Sequence, residues 1–215
     1  MNGVDPHATP EVVGRVLPYG DRALLVEVDG LAEVAAVRTA LEQEPLRGQR
    51  ELVPAARTVL VVLDRAPTDL DVAALRRLVP VPVSGDAAVR TVGLPVVFDG
   101  PDLAEVAELV GRTVPAVVAA LTEIEFTVAF SGFAPGFGYL TGLPEELHVP
   151  RRETPRTRVP AGSVGLAGPF AGAYPRESPG GWQLVGRTDA LLFDVDRTPP
   201  ALLPPGARVR FRKVG

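Results

Sequence analysis

Beyond residue 130 the chain loses its helical periodicity. The remainder is a series of short apolar stretches, "SVGLAG", "WQLVGRT", "ALLFDV" and "RVRFRKV", parted by Gly, Pro and Arg. Segments this short cannot bury an apolar face as isolated helices, and as strands they must pair around a shared core, so a barrel or sandwich is expected. Just upstream, "PDLAEVAELVG" (101–111) reads as a helix, with Pro101 at its start, acids in its first turns and Gly111 past its end. "TVPAVVAALTEI" reads as a second helix, with "VGLPVVF" before the pair and "EFTVAF" after it as strands. The N-terminal part is organised differently. Two strands surround a Pro-Tyr-Gly-Asp turn, and a helix over 31–44 stops at Pro45. "RELVPA" and "TVLVVLD" come next as strands, then a helix over 68–79 capped by Thr68. The expected class is α+β: a small α/β sandwich over residues 1–87 and a mainly β domain over 88–215, joined through the Pro- and Gly-bearing "PVPVSGDAAV" (80–89).

Composition narrows the chemistry. A net charge of −4 and a pI near 5.3 argue against nucleic acid, which needs a concentrated basic surface. The opening "MNGVDPHATP" does not read as a secretion signal, no apolar run approaches a bilayer span, and the lack of cysteine suits a reducing cytoplasm. The one lysine, Lys213, cannot serve a Walker A loop, a Schiff base or a Ser-Ser-Lys amidase. Two histidines, His7 and His148, cannot build a zinc cluster, so no metal is expected, and "GSVG" (162–165) is not a nucleophile elbow. Self-contained enzymes of the common kinds are thus mostly excluded.

Three long segments, "GFAPGFGYL", "PRRETPRTRVPAGSVGLAG" and "YPRESPGGWQLVGRT", occur in order, preceded by "YGDRALLVEV", "LVPAARTVLVVLD" and "LPVVFDGPDLAEVAELVG". Through them the chain resembles the bacterial carboxyltransferase-domain family. That family includes the B-type subunit of the ATP-dependent 5-oxoprolinase, proteins labelled allophanate hydrolase subunit 1, and a sporulation-kinase inhibitor. The resemblance implies a cyclophilin-like β-barrel after the small domain, and a paralogous C-type subunit with a similar barrel as partner. In the oxoprolinase it implies a further, A-type subunit, and ATP with Mg at the level of the complex. The implied activity is opening of a cyclic amide at the expense of ATP, with phosphorylation of the amide oxygen before water attacks. A regulatory protein that inhibits a histidine kinase is the alternative it leaves open. The chain departs from the family pattern at Leu121, where histidine is common, at Phe170 and Ala171, where glutamine and threonine are common, and at Ala207, in place of aspartate.

Within these motifs the residue types define candidates. Arg151, Arg152, Arg156 and Arg158 form a run stiffened by Pro150, Pro155 and Pro160. A guanidinium fork suits a carboxylate or phosphate when shielded and contributes little on a solvated loop. Arg151 and Arg156 are the better choices. Phe133, Phe137 and Tyr139 are expected to line a pocket or fill the core, Tyr139 being favoured for its polar tip. Trp182 is expected to anchor the core, while Gly180, Gly181 and Ser178 beside it offer donors for an anion. Ser163 either faces the same cleft or bonds its own turn. Glu153 and Glu177 are expected to be solvated, and His148 to lie on a surface. The catalytic candidates are Arg151, Arg156, Ser178 and Tyr139. The substrate-binding candidates are Phe133, Phe137, Ser163, Gly180 and Gly181.

Overall fold

The computed structural model describes residues 14–81 and 90–215, which fall in two compact units, Met1–Gly85 and Asp86–Gly215. Most of the segment read as a linker lies outside the described residues.

In the first unit the order is β1 (Arg15–Tyr19), β2 (Ala23–Glu27), α1 (Leu31–Gln43), β3 (Gln49–Pro54), β4 (Thr58–Leu63) and α2 (Asp69–Arg76). The strands form one antiparallel sheet in the order β1-β2-β4-β3. Alternation in "TVLVVL" sends Val59, Val61 and Leu63 to one face, where Val34, Val37 and Leu41 of α1 and Leu75 of α2 join the same core.

The helix expected over 68–79 is shorter, and its start rests on a buried carboxylate. The amide and hydroxyl of Thr68 both donate to Asp71 Oδ2 at 2.7 Å, and Arg65 donates to both carboxylate oxygens at 2.7 and 2.8 Å. The Arg65 hydrogen bonds, helped by those from Thr68, hold the Asp71 carboxyl below the usual range against the opposing cost of burial. A carboxyl depressed in the folded state contributes stability that is present above its unfolded value near 3.9 and lost as pH falls below that. Asp71→Asn is therefore expected to cost about 1–3 kcal/mol at pH 7 and to flatten the acid limb of stability. Urea unfolding from pH 3 to 7 checks this: parallel acid limbs in both proteins contradict it.

The second unit contains β5 (Thr91–Val96), α3 (Leu103–Leu109), α4 (Val114–Glu123), β6 (Phe126–Ser131), β7 (Gly138–Thr141), β8 (Arg156–Val159), β9 (Ser163–Ala167), β10 (Phe170–Ala173), β11 (Ser178–Gly180), β12 (Gln183–Arg187) and β13 (Arg208–Lys213). Seven of these strands form a sheet ordered β12-β9-β10-β7-β6-β13-β5. Its pairs are antiparallel except β13 with β5. A reciprocal backbone bridge between Val97 and Arg187, with both N–H···O distances 2.9 Å, joins the two ends and nearly closes the barrel. Closure removes the free edges that an open sheet would expose. Leu94, Phe126, Val128, Leu140, Val164, Leu166, Val185 and Phe211 fill it, with Leu103 and Val106 of α3 and Leu121 of α4 in the same core. Strands β8 and β11 pair separately as a short ribbon.

The structure corrects two local expectations. "ALLFDV" makes only one isolated bridge, Phe193 to Ala201: the Leu192 and Pro200 carbonyls accept from the Leu202 and Asp194 amides at 2.8 and 3.0 Å, and directly afterwards Asp194 turns the chain by accepting from the Asp196 and Arg197 amides. The helix after Gly100 starts at Leu103 and not at Pro101, with Asp102 at its cap position and the Asp102 side chain bonded elsewhere. Among the described residues no helix is long and apolar enough to cross a membrane.

Candidate functional site

The motif segments meet at one end of an aromatic cluster. Phe137 lies at its centre, tilted edge-on to Tyr139 (5.0 Å), Tyr174 (5.3 Å) and Trp182 (5.4 Å). Edge-to-face rings at such separations attract one another beyond simple burial. On the outer side Phe133 leans against Phe137 at 5.3 Å and Tyr174 at 5.9 Å. Phe133 has φ of 65° and is 56% exposed, an uncommon backbone state for a bulky residue and an uncommon exposure for phenylalanine.

These rings border a recess of about 100 Å³, whose remaining walls are Arg151, Gly180 and Gly181. No acid lines it, and Arg151 is its one charged side chain. Burial pushes the Tyr174 hydroxyl pKa up, opposed by the Trp182 backbone amide and the Arg151 charge. Gly180 is required by proximity: a Cβ there would lie 2.6 Å from the Tyr174 hydroxyl oxygen and 3.1 Å from its ring.

Behind the recess, Asp102 organises the arginine run. Its carboxylate is 3% exposed; Oδ1 accepts from Arg152 Nη1 at 2.9 Å and Arg156 Nη2 at 2.5 Å, while Oδ2 accepts from the Leu184 amide at 2.7 Å. The Arg152 amide donates to the Gly181 carbonyl at 2.8 Å. One buried anion therefore joins the loop that carries Arg151 to the strand that begins after Trp182. Arg152 lies 3.6 Å from Glu105 as well, and Arg158 pairs with Glu177 at 2.6 Å on the exposed side.

Six of the nine catalytic and substrate-binding candidates thus meet at the recess: Phe133, Phe137, Tyr139, Arg151, Gly180 and Gly181. Three do not line it. Arg156 is held by Asp102, Ser163 is buried in β9, and Ser178 sits in the β8–β11 ribbon with its hydroxyl unpartnered among the described residues. His148 Nε2 lies 3.0 Å from the Leu143 carbonyl. Sequence reasoning passed over Asp102 and Tyr174. Tyr174 stood in the "YPRESPGGW" motif, and Asp102 beside a helix start, but neither position shows a partner locally. Among the described residues no cluster of His, Cys, Asp or Glu is placed to hold a metal ion.

A profile of the carboxyltransferase domain, subdomain C and D, matches residues 14–203. The chain belongs to this family. It is 41% identical over 202 residues to the B-type subunit of 5-oxoprolinase from Escherichia coli O157:H7, covering 89% of this chain and 92% of that one. Among solved structures, TTHA0988 superposes with a TM-score of 0.74 at 34% identity over 90% of this chain. The chain spans 40% of the length of TTHA0988. The K. lactis urea amidolyase shares the fold, with a TM-score of 0.75 at 21% identity over 99% of this chain and 15% of that protein. The departures from the family pattern fall in packed positions: Leu121, Ala171 and Ala207 are buried in the barrel core, and Phe170 packs edge-on to Phe130 and Tyr139.

Chemically, the recess supplies hydrogen-bond donors, a cation and apolar walls. Arg151 is exposed and Phe133 56% exposed, so the recess is open to solvent on that side and its inner wall is formed by the buried rings of Phe137, Tyr174 and Trp182. The arrangement suits an anionic or acceptor-rich small group, and it contains no nucleophile–base pair.

Proposed function

We propose that this chain is the B-type component of an ATP-dependent amidohydrolase complex that opens 5-oxoproline to glutamate, and that its recess holds the substrate carboxylate. The near end-to-end similarity to the corresponding component of a 5-oxoprolinase carries this reading. The recess supports it, since a guanidinium among aromatic rings with no acid beside it matches a compact carboxylic acid. The absence of a nucleophile there fits a component whose partners, a paralogous C-type subunit and an A-type subunit, complete the chemistry in the cytoplasm.

ATP with its Mg does not fit this chain's site. Ligand pockets of drug-sized molecules run to roughly 300–1,000 Å³, and the recess offers about 100 Å³ with a single cation. The nucleotide is assigned to a place other than this recess. Within the complex, Arg151 orients the carboxylate, and the rings pack against the rest of the substrate.

Coexpression with the C-type and A-type partners, and then assay of 5-oxoproline, allophanate and urea, tests the reading. ATP-dependent glutamate release from 5-oxoproline alone is expected. An assembled complex that turns over allophanate or urea instead, or nothing, rejects it. Arg151→Ala in that complex is expected to lower kcat/KM about 10- to 100-fold, the range for a hydrogen bond to a charged group, mainly through KM. The melting temperature is expected to stay near the wild-type value, because among the described residues Arg151 has no ion-pair partner to lose.

A further inference from the structure

We propose that the Tyr174 hydroxyl is the second binding point of the recess, pairing with Arg151 to grip one small carboxylate, and that Gly180 keeps it reachable. This rests on the reading of the recess as the substrate site. Tyr174 is 2% exposed as a residue, yet it borders the recess together with Arg151. The ring is immobilised edge-on against Phe137 and Phe133, so the hydroxyl has a set position. A phenol both donates and accepts, whereas a guanidinium only donates. The phenol's proton is the part that complements an anion. With no acid in the lining, a ligand that accepts at two points is the complement.

Gly180 decides access. Any side chain there would begin 2.6 Å from the hydroxyl oxygen. The size of the recess, roughly three waters by liquid volume, admits a carboxylate and the atoms next to it, and excludes a long side chain or a nucleotide.

Trp182 is the one tryptophan of the chain and forms a wall of the recess, so its fluorescence reports occupancy. Titration of the full chain with 5-oxoproline, alone and with its partners present, is expected to give a saturable change. Inorganic phosphate is expected to give none. Tyr174→Phe keeps the ring and is expected to raise the Kd about 10- to 100-fold with an unaltered melting temperature. Gly180→Ala is expected to abolish the response. A wild-type response that Tyr174→Phe retains at the same Kd overturns the tyrosine's role and leaves the substrate site standing. Phosphate bound with the same dependence on Tyr174 overturns the carboxylate assignment. No saturable change in the wild type, with or without partners, removes the substrate site and this proposal together.

Discussion

Asp102→Ala is expected to lower the stability of the barrel unit by about 3–5 kcal/mol, the cost of leaving buried charge uncompensated. The carboxylate is buried and takes bonds from two guanidinium groups and the Leu184 amide. Arg152 Nε and Arg156 Nη1 already lack partners among the described residues, where Arg156 has no second acid to fall back on and Arg152 only Glu105. Glu105 at 3.6 Å is half-exposed and reaches Arg152 alone. Because Trp182 sits in the barrel unit, guanidinium chloride unfolding monitored by its fluorescence reads that unit specifically. Asp102→Asn should be milder than alanine, since an amide oxygen can still accept from Leu184. A loss under about 1 kcal/mol for the alanine variant contradicts the assigned role.

Trp182→Ala should destabilise the same unit by about 3–5 kcal/mol, as expected for deleting a large core aromatic. Trp182 is 5% exposed and meets Phe137, Tyr139 and Tyr174 edge-on between 5.4 and 6.5 Å. The surroundings are shaped to it: a Cβ on Gly172 would stand 2.9 Å from Phe137 and 3.1 Å from the indole. Such a close-packed site cannot collapse cheaply around the hole. Trp182→Phe is expected to lose less. Near-UV circular dichroism and thermal unfolding measure both variants, and a melting temperature unchanged in Trp182→Ala would show that the ring is not an anchor.

Much of the fold was legible before the structure. Helices α1, α2 and α3 announce themselves through their cap and stop residues, and β4 through a short run of Val and Leu. Strands β7, β10 and β11 were not separable from turns. "GYLT", "FAGA" and "SPG" hold too few β-branched residues to signal a strand, and they are extended because neighbouring strands pair with them. The reverse holds for "ALLFDV", where local propensity favours a strand and the pairing stops after one bridge, at the turn that Asp194 makes with the Asp196 and Arg197 amides.

At the site, the motif loops pointed to the correct neighbourhood but could not rank the arginines. Arg151 and Arg156 look equivalent in "RRETPR". What separates them is Asp102, far upstream in the chain, which binds Arg152 and Arg156 and leaves Arg151 to the recess. Tyr174 was hidden for a similar reason. Its hydroxyl acquires meaning only when Gly180, on another strand, comes within contact distance.

Amino-acid order alone therefore determined the α+β class, the change from helices to short strands beyond residue 130 and the segments from which a site could be made. These depend on short-range properties: period, turn chemistry and capping. Tertiary structure alone decided which cation is neutralised and which stays free, and which phenol reaches the recess. Those outcomes depend on Coulomb attraction and hard contact between atoms far apart in the chain, and both fall off too steeply with distance to be read before the chain is folded.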